Sequence, residues 1–365
     1  MGQADVSLKF TLVQALRGIA ALWVVFFHAA EGQHLEALRA AAPAWLFASI
    51  FDAGHLGVSI FFALSGFVIA HSLRNADATL RYVGKFVLRR AIRLDPPYWA
   101  IIGLVIAQQV IEARIKGSTA PEISAGQLFS HLFYLQDILG YPQISAVFWT
   151  LCFEIQFYLG FVLLLMIERA MNRRFGNLAG GVVRFVMFGA ALAGALRLYH
   201  GLNDGVALVM WHAFFVGVVA YWAGQGTGRW TLPLGILVAV MMFGGSGDAI
   251  SAATAGGLWL AFRMGTLTTS LSSKPFQLLG MISYSLYLSH NLITGSAYWA
   301  LGKVMPAGLS SDLIKLSIVT AMCLVGAYAI WWLIERPAHE LAKRIGRQKQ
   351  LRRMPDDSST SLPSR

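Results

Sequence analysis

The sequence predicts an all-α, polytopic membrane protein with about ten transmembrane helices and both termini in the cytoplasm. Of its 365 residues, 56% are hydrophobic and only 13% are charged, whereas soluble domains carry about 25% charged residues. Apolar segments near the ~20 residues that span a bilayer recur along the chain. A chain with so little polar surface is solvated by lipid rather than by water.

Ten apolar segments are candidate spans, and together they define a predicted membrane domain of residues 1–344. The first five are Leu12–Ala30, Val58–Leu73, Leu94–Ile111, Val147–Ile167 and Val183–Tyr199. The last five are Val206–Ala223, Leu232–Phe243, Ile250–Met264, Phe276–Tyr298 and Leu313–Ile334. The first run lacks a clear cleavage site, so we expect it to be retained as a helix. Residues 345–365 are polar and aperiodic and predict a disordered cytoplasmic tail.

The basic residues alternate between connections in the way that sets membrane topology. Arginines and lysines cluster after the second, fourth and tenth segments, and the intervening connections are poorer in cations. By the positive-inside rule, these clusters place both termini in the cytoplasm, as an even number of spans requires. The net charge of +11 is therefore explained by topology, and we expect no nucleic-acid partner.

The first segment carries two polar side chains, Arg17 and His28. Their eleven-residue spacing is about three helical turns, or roughly 16 Å, so both project from one face. An arginine near the cytoplasm can bind a phosphate or carboxylate, and a histidine can exchange a proton near neutral pH. The alternative is a snorkelling arginine with a histidine bonded to a backbone carbonyl.

Two further segments place charges at membrane depth. Arg90 and Arg93 share a helix face before a Pro-Pro break at the start of the third segment, which suits a polyphosphate. Positive-inside anchoring is the alternative. Glu154 lies in the fourth segment with Tyr158 one turn later, and such a carboxylate needs a partner such as His28 or an arginine to stay charged.

The ninth segment has a polar stripe of Ser283, Tyr287 and His290, to which water or sugar hydroxyls can bind. At the end of the tenth segment, Glu335 beside Arg336 predicts a local ion pair at the cytoplasmic surface. The scattered histidines lack the spacing of metal ligands, so no metal is expected.

Taken in order, these motifs resemble the acyltransferase-3 family of membrane enzymes that O-acylate bacterial surface sugars. The resemblance runs from Leu12 to Pro337. Its motifs are Arg17 with His28, Gly57–Phe67, Arg90 with Arg93, Trp149–Tyr158, Ser283–His290, and Glu335 with Pro337. Ser59 departs from the pattern, because many members have an aspartate there.

The resemblance implies a ten-helix enzyme of the bacterial inner membrane with acetyl-coenzyme A as donor and no metal. Its acceptor is expected to be a carbohydrate such as exopolysaccharide, O-antigen, a lipid-linked or nodulation-type oligosaccharide, or a macrolide sugar. His28 is expected to act as general base or transient acyl carrier, with Glu154 orienting it. Arg17, Arg90 and Arg93 are expected to bind the donor. The expected substrate path comprises Trp149, Tyr158, Ser283, Tyr284, Tyr287 and His290.

Two other functions remain open from the sequence. A transporter or flippase for a glycan or lipid-linked saccharide also needs charged residues in its helices, but it would turn over no acyl donor. A structural subunit of a polysaccharide export complex has less use for arginine, histidine and glutamate on membrane faces. Membrane lipid and polysaccharide-assembly proteins are the other expected partners.

Overall fold

The computed structural model describes residues 10–75, 79–226 and 228–351, with side chains to residue 344. Within these ranges all regular structure is helical. The first eight α-helices are α1 Thr11–Glu31, α2 Glu36–Ala41, α3 Ala44–Ile50, α4 Gly57–Ser72, α5 Leu80–Lys116, α6 Ala125–Leu132, α7 Gln136–Leu139 and α8 Trp149–Phe175.

The second half of the chain continues the pattern. Its α-helices are α9 Asn177–Ala195, α10 Trp211–Gly224, α11 Thr231–Met242, α12 Ser246–Arg263, α13 Lys274–Met281, α14 Ser283–Val304, α15 Leu309–Ile330 and α16 Arg336–Leu351. Short 3₁₀ helices cover Asp52–Leu56 and Ala207–Met210, and a π-helical turn covers Trp331–Glu335.

The helices confirm an all-α polytopic membrane protein. Within the described ranges, seven helical segments are long and apolar enough to cross a membrane. All ten predicted spans are helical, but α11, α12 and α14 lie outside those seven. The count of ten and the cytoplasmic position of both termini therefore stay predictions.

Lipid-facing surface is visible on the outer helices. On α8, Leu159, Leu163 and Ile167 follow one another at four-residue spacing and are 48%, 57% and 42% exposed. On α9, Phe185 and Val186 are more than half exposed. Such apolar faces are stable in contact with hydrocarbon.

The centre of the fold is the close crossing of α4 and α10. A Cβ atom on Gly66 would overlap the carbonyl of Phe214, and one on Gly217 would overlap the carbonyl of Ala63. Small residues at a crossing let two membrane helices approach closely enough for their backbones to pack. This contact fixes α4, which carries one wall of the site described below.

The predicted Pro-Pro break in the third segment is wrong, because α5 runs without interruption through Pro96 and Pro97. Two prolines inside a helix remove two N–H groups and cost about 3 kcal/mol each. Tertiary contacts offset this cost: Tyr98 is fully buried, and the Tyr284 hydroxyl donates to the carbonyl of Leu94 at 2.9 Å. Arg90 and Arg93 therefore lie inside a long helix and not at its end.

The ninth predicted segment is two helices rather than one. The helix is interrupted at Ile282, between α13 and α14. Here Gly280 packs against the backbone of α1, where any side chain would collide with the carbonyl of Gln14. The Ser283 hydroxyl donates to the Gly280 carbonyl at 2.8 Å and so satisfies a group at the break.

The C-terminal helix α16 runs past the predicted domain boundary at residue 344. The remainder of the predicted tail, residues 352–365, lies outside the described residues.

Candidate active site

Three arginines line a cavity in the half of the protein expected to face the cytoplasm. We call it the arginine cavity, and about 790 Å³ of space lies within it and in its opening to solvent. Its polar lining comes from five sequence motifs that are far apart in the chain: Arg17, Ser65, Arg90, Arg93, Thr150, Glu154, Tyr158, Tyr284 and Tyr287. The structure thus brings together all three arginines predicted to bind the donor.

Glu154 is the hydrogen-bonding centre of the arginine cavity. It accepts from the Ser65 hydroxyl at 2.8 Å and from the Tyr158 hydroxyl. Arg90 lies 3.4 Å from the same carboxylate, and its guanidinium lies 3.9 Å from the centre of the Tyr158 ring. Glu154 is therefore paired with an arginine, one of the two partners predicted for it, while the other predicted partner, His28, is bonded to Glu31 instead.

The cations of this cavity outnumber its anions. Arg93 lies within electrostatic range of both Arg17 and Arg90. Among the described residues, no carboxylate lies within 4.0 Å of Arg17 or Arg93. Like charges that are held together away from water favour the binding of an anion.

Glu335 lies near Arg17 and Arg93 and does not pair with its neighbour Arg336. Its side chain is buried, it accepts from the Ser285 hydroxyl at 2.6 Å, and it lies within electrostatic range of Arg17 and Arg93. Arg336 pairs with Glu340 at 3.3 Å. The predicted surface pair is wrong because the π-helical turn rotates Glu335 inward.

A second cavity, the histidine cavity, lies in the half expected to face away from the cytoplasm. It holds about 960 Å³ of empty volume. Its lining combines aromatic rings with polar groups: Phe27, His28, Glu31, His55, Ser59, Trp149, Ser246 and Tyr287. Rings interspersed with hydroxyls and imidazoles provide flat surfaces and hydrogen-bonding groups for a polar ligand.

His28 is oriented by Glu31, one turn later on the same helix. The His28 Nδ1 atom lies 2.8 Å from a carboxylate oxygen of Glu31. A carboxylate accepts only, so Nδ1 carries the proton and Nε2 is left with a lone pair. This is the arrangement of a general base with its orienting acid.

His290 lies beside His28 in the interior, with the two ring centres 5.1 Å apart. Its Nδ1 atom donates to the Tyr287 carbonyl at 2.8 Å. Its Nε2 atom is buried and has no hydrogen-bond partner within the described part of the chain. The two histidines, which are 262 positions apart in sequence, therefore form one imidazole pair.

The two cavities have a common wall, made by Val58, Phe62 and Tyr287. Phe62 is held there by stacking on Phe214, with ring centres 4.3 Å apart. The Tyr287 hydroxyl bonds to Thr150 at 2.9 Å. This layer of side chains lies between the two cavities.

The predicted substrate path is divided between the cavities. Trp149 lines the histidine cavity, Tyr158 and Tyr284 line the arginine cavity, and Tyr287 lines both. Ser283 lines neither cavity, because its buried hydroxyl is bonded to the helix break.

Sequence reasoning missed Glu31, Ser65 and the inward position of Glu335. The i, i+3 spacing of His28 and Glu31 was a usable signal, since such residues are neighbours on a helix. No group of three or more metal-ligating side chains occurs among the described residues. The expectation of a metal-free site stays a prediction.

Comparison with known proteins shows which family this chain is similar to. A family model described as an acyltransferase domain matches residues 12–335. Nodulation protein 10 of Rhizobium leguminosarum bv. viciae is 28% identical over 370 residues, covering 89% of this chain and 92% of that protein. Acyltransferase MdmB of Streptomyces mycarofaciens is 26% identical over 385 residues, covering 95% of each. No solved structure matches. The matched region contains every residue that lines the two cavities.

Proposed function

The chain belongs to the acyltransferase-3 family and is a membrane O-acyltransferase, and from this premise we propose its donor, acceptor and mechanism. The donor is acyl-coenzyme A, with acetyl as the acyl group, and it binds from the cytoplasm. The acceptor is a hydroxyl of a surface or exported carbohydrate, and the membrane is the bacterial inner membrane. One observation carries the proposal: a cationic cavity and a histidine cavity meet at a common wall.

The donor assignment rests on the charge of the arginine cavity. Coenzyme A carries a diphosphate next to the pantetheine arm that ends in the thioester. Guanidinium groups bind phosphate through paired, directed hydrogen bonds. Arg17 and Arg93 are available for this contact, while Arg90 is held by Glu154 and by the ring of Tyr158. The phosphates then stay among the arginines, and the thioester points toward Phe62 and Tyr287.

The acceptor assignment rests on the lining of the histidine cavity. Trp149 and Phe27 offer apolar faces, and His55, Ser59 and Ser246 offer polar groups. A sugar presents an apolar ring face surrounded by hydroxyls, which matches this combination. A free fatty chain would leave these polar groups without partners.

His28 is the base of the proposed reaction. Its Nε2 atom takes the proton of the sugar hydroxyl as the oxygen attacks the thioester carbonyl, and Glu31 stabilises the resulting imidazolium. The carbon–sulfur bond breaks, an oxygen ester forms, and the proton passes to the departing thiolate of coenzyme A. A route in which His28 briefly carries the acyl group gives the same products and uses the same lone pair.

The test compares surface polysaccharides by proton NMR. A strain lacking the gene should lose O-acetyl methyl signals, and the wild-type gene should restore them. His28→Ala should fail to restore them, whereas His200→Ala, a change at an exposed histidine outside both cavities, should restore them fully. Unchanged O-acetylation in the deletion strain would refute the acetyl-to-polysaccharide assignment. Acylation restored by His28→Ala would refute the role of His28.

The alternative of a glycan transporter or flippase predicts a different result. Transport needs no acyl donor, so purified protein in lipid nanodiscs would move saccharide and release no thiol from acetyl-coenzyme A. Release of thiol that depends on both the acceptor and His28 would exclude it.

A further inference from the structure

The π-helical turn and α16, which follows it, carry a polar stripe that starts near Arg17 and Arg93 and leads to the protein surface. Glu335, His339 and Lys343 follow one another at four-residue spacing, so they lie on one face of the helix. Glu335 is buried, His339 is partly buried and Lys343 is exposed. The stripe is about 12 Å long at 1.5 Å per residue.

Helix α16 is held in place by its packing against α5. Ala338 and Ala342 are the buried residues of α16 within its described side chains, at 8% and 6% exposure. Small side chains allow two helices to pack closely. His339 accordingly lies within electrostatic range of Arg93, Arg17 and Lys343.

The stripe therefore connects the arginines of the membrane interior with a lysine at the aqueous surface. Arg17 and Arg93 are at its inner end, where Glu335 lies within their electrostatic range. Lys343 is at its outer end, where nothing buries its ammonium group. A ligand that enters along this line meets Lys343 first and the arginines last.

We propose that Lys343, with His339 beside it, binds the 3′-phosphate at the nucleotide end of the coenzyme A donor. This inference rests on the proposed function and assigns a part of the donor that the arginine cavity leaves unbound. The thioester must reach the common wall, and the diphosphate occupies the arginines, so the nucleotide end lies outward along α16. A phosphate monoester carries up to two negative charges near neutral pH, and an exposed lysine is a suitable point-charge partner.

The experiment measures binding of coenzyme A and of 3′-dephospho-coenzyme A to the full chain in nanodiscs of phosphatidylcholine alone. Calorimetry gives both dissociation constants. We expect the wild type to bind coenzyme A about tenfold more tightly than the dephospho form, as for one charge-assisted hydrogen bond. Lys343→Ala should remove most of this preference and leave affinity for the dephospho form unchanged. Lys343→Arg should retain it.

The matched control is Arg344→Ala, which removes one cation from the adjacent position, about 100° away around the helix. It should leave the preference intact. Because Lys343 and Arg344 are both exposed, thermal unfolding of both variants should match the wild type.

The outcomes separate the inference from the proposed function. A wild type that binds coenzyme A but does not distinguish it from the dephospho form refutes the role of Lys343 and leaves the donor intact. Retention of the preference by Lys343→Ala has the same meaning. An effect of Lys343→Ala that appears only after anionic lipid is added assigns this lysine to a lipid headgroup and overturns the inference. A wild type that binds neither compound refutes the donor assignment itself.

Discussion

Replacement of Glu31 by glutamine tests whether the carboxylate beside His28 contributes to the rate through its charge. The two groups are 2.8 Å apart, and their side chains are 15% exposed for His28 and 58% exposed for Glu31. Glutamine keeps an oxygen that can accept from Nδ1, so the orientation of the imidazole is retained. Only the negative charge is lost.

The magnitude follows from the surroundings of the pair. Two unit charges about 4 Å apart interact by about 1 kcal/mol in water and about 4 kcal/mol at an effective dielectric constant of 20. Because Glu31 is more than half exposed while His28 is mostly shielded from water, the middle of this range applies, at about 1.4–2.8 kcal/mol. The imidazolium develops in the transition state, so kcat should fall about 10- to 100-fold. The KM values should change little.

The assay measures initial rates of thiol release from acetyl-coenzyme A by the chain in nanodiscs, with de-O-acylated host polysaccharide as acceptor. Glu36→Gln is the control, because Glu36 is an exposed glutamate of the same connection and contacts neither cavity. The reasoning is refuted if Glu31→Gln keeps its kcat within twofold of the wild type while His28→Ala is inactive. A rise in KM alone would also contradict it.

Three other substitutions test the scaffold and the common wall. Gly217→Ala should lower the free energy of unfolding by about 1–3 kcal/mol, because the added Cβ would overlap a carbonyl of α4. The control is Gly235→Ala. Because Gly235 has open space around it, this change should leave thermal unfolding in nanodiscs unchanged. Asp248→Asn should remove the ion pair with Arg197 and weaken the hydrogen bond with the fully buried His212, which should lower the unfolding temperature in the same assay. An unchanged temperature would show that these contacts contribute no net stability. Val58→Trp should fill the common wall and abolish transfer, and a transfer-competent variant would disprove the path through this wall.

The sequence was sufficient for the all-α membrane fold and for identifying the polar residues within its apolar helices. Arginine, histidine and glutamate at membrane depth are costly enough that each points to a site, and Arg17, Arg90, Arg93 and Glu154 do line one cavity. Their pairing was not predictable, because it depends on the rotation of four helices about their own axes. The sequence left His28 or an arginine as the partner of Glu154, and the structure places Arg90 of α5 there, with Ser65 of α4 and Tyr158 of α8.

Local rules also failed where tertiary contacts opposed them. The prolines of α5 indicated a break, but packing around Tyr98 and the bond from Tyr284 keep the helix continuous. A single helix was predicted across Ile282, but the approach of Gly280 to α1 interrupts it. In both cases the deciding contact comes from a residue more than 100 positions away in the sequence. A short stretch of sequence therefore cannot reveal it.

The thin wall between the two cavities has an electrical consequence. Where two aqueous spaces approach within a few side chains, most of the membrane voltage falls across that short distance. In the proposed reaction a neutral acyl group passes outward through Val58, Phe62 and Tyr287, and the proton released by the sugar hydroxyl ends on the thiol of coenzyme A inside. Each turnover thus carries one positive charge inward, and a potential that is negative inside favours this by about 2.3 kcal/mol per 100 mV. The membrane potential would then contribute to the free energy of ester formation, in addition to the contribution of the thioester.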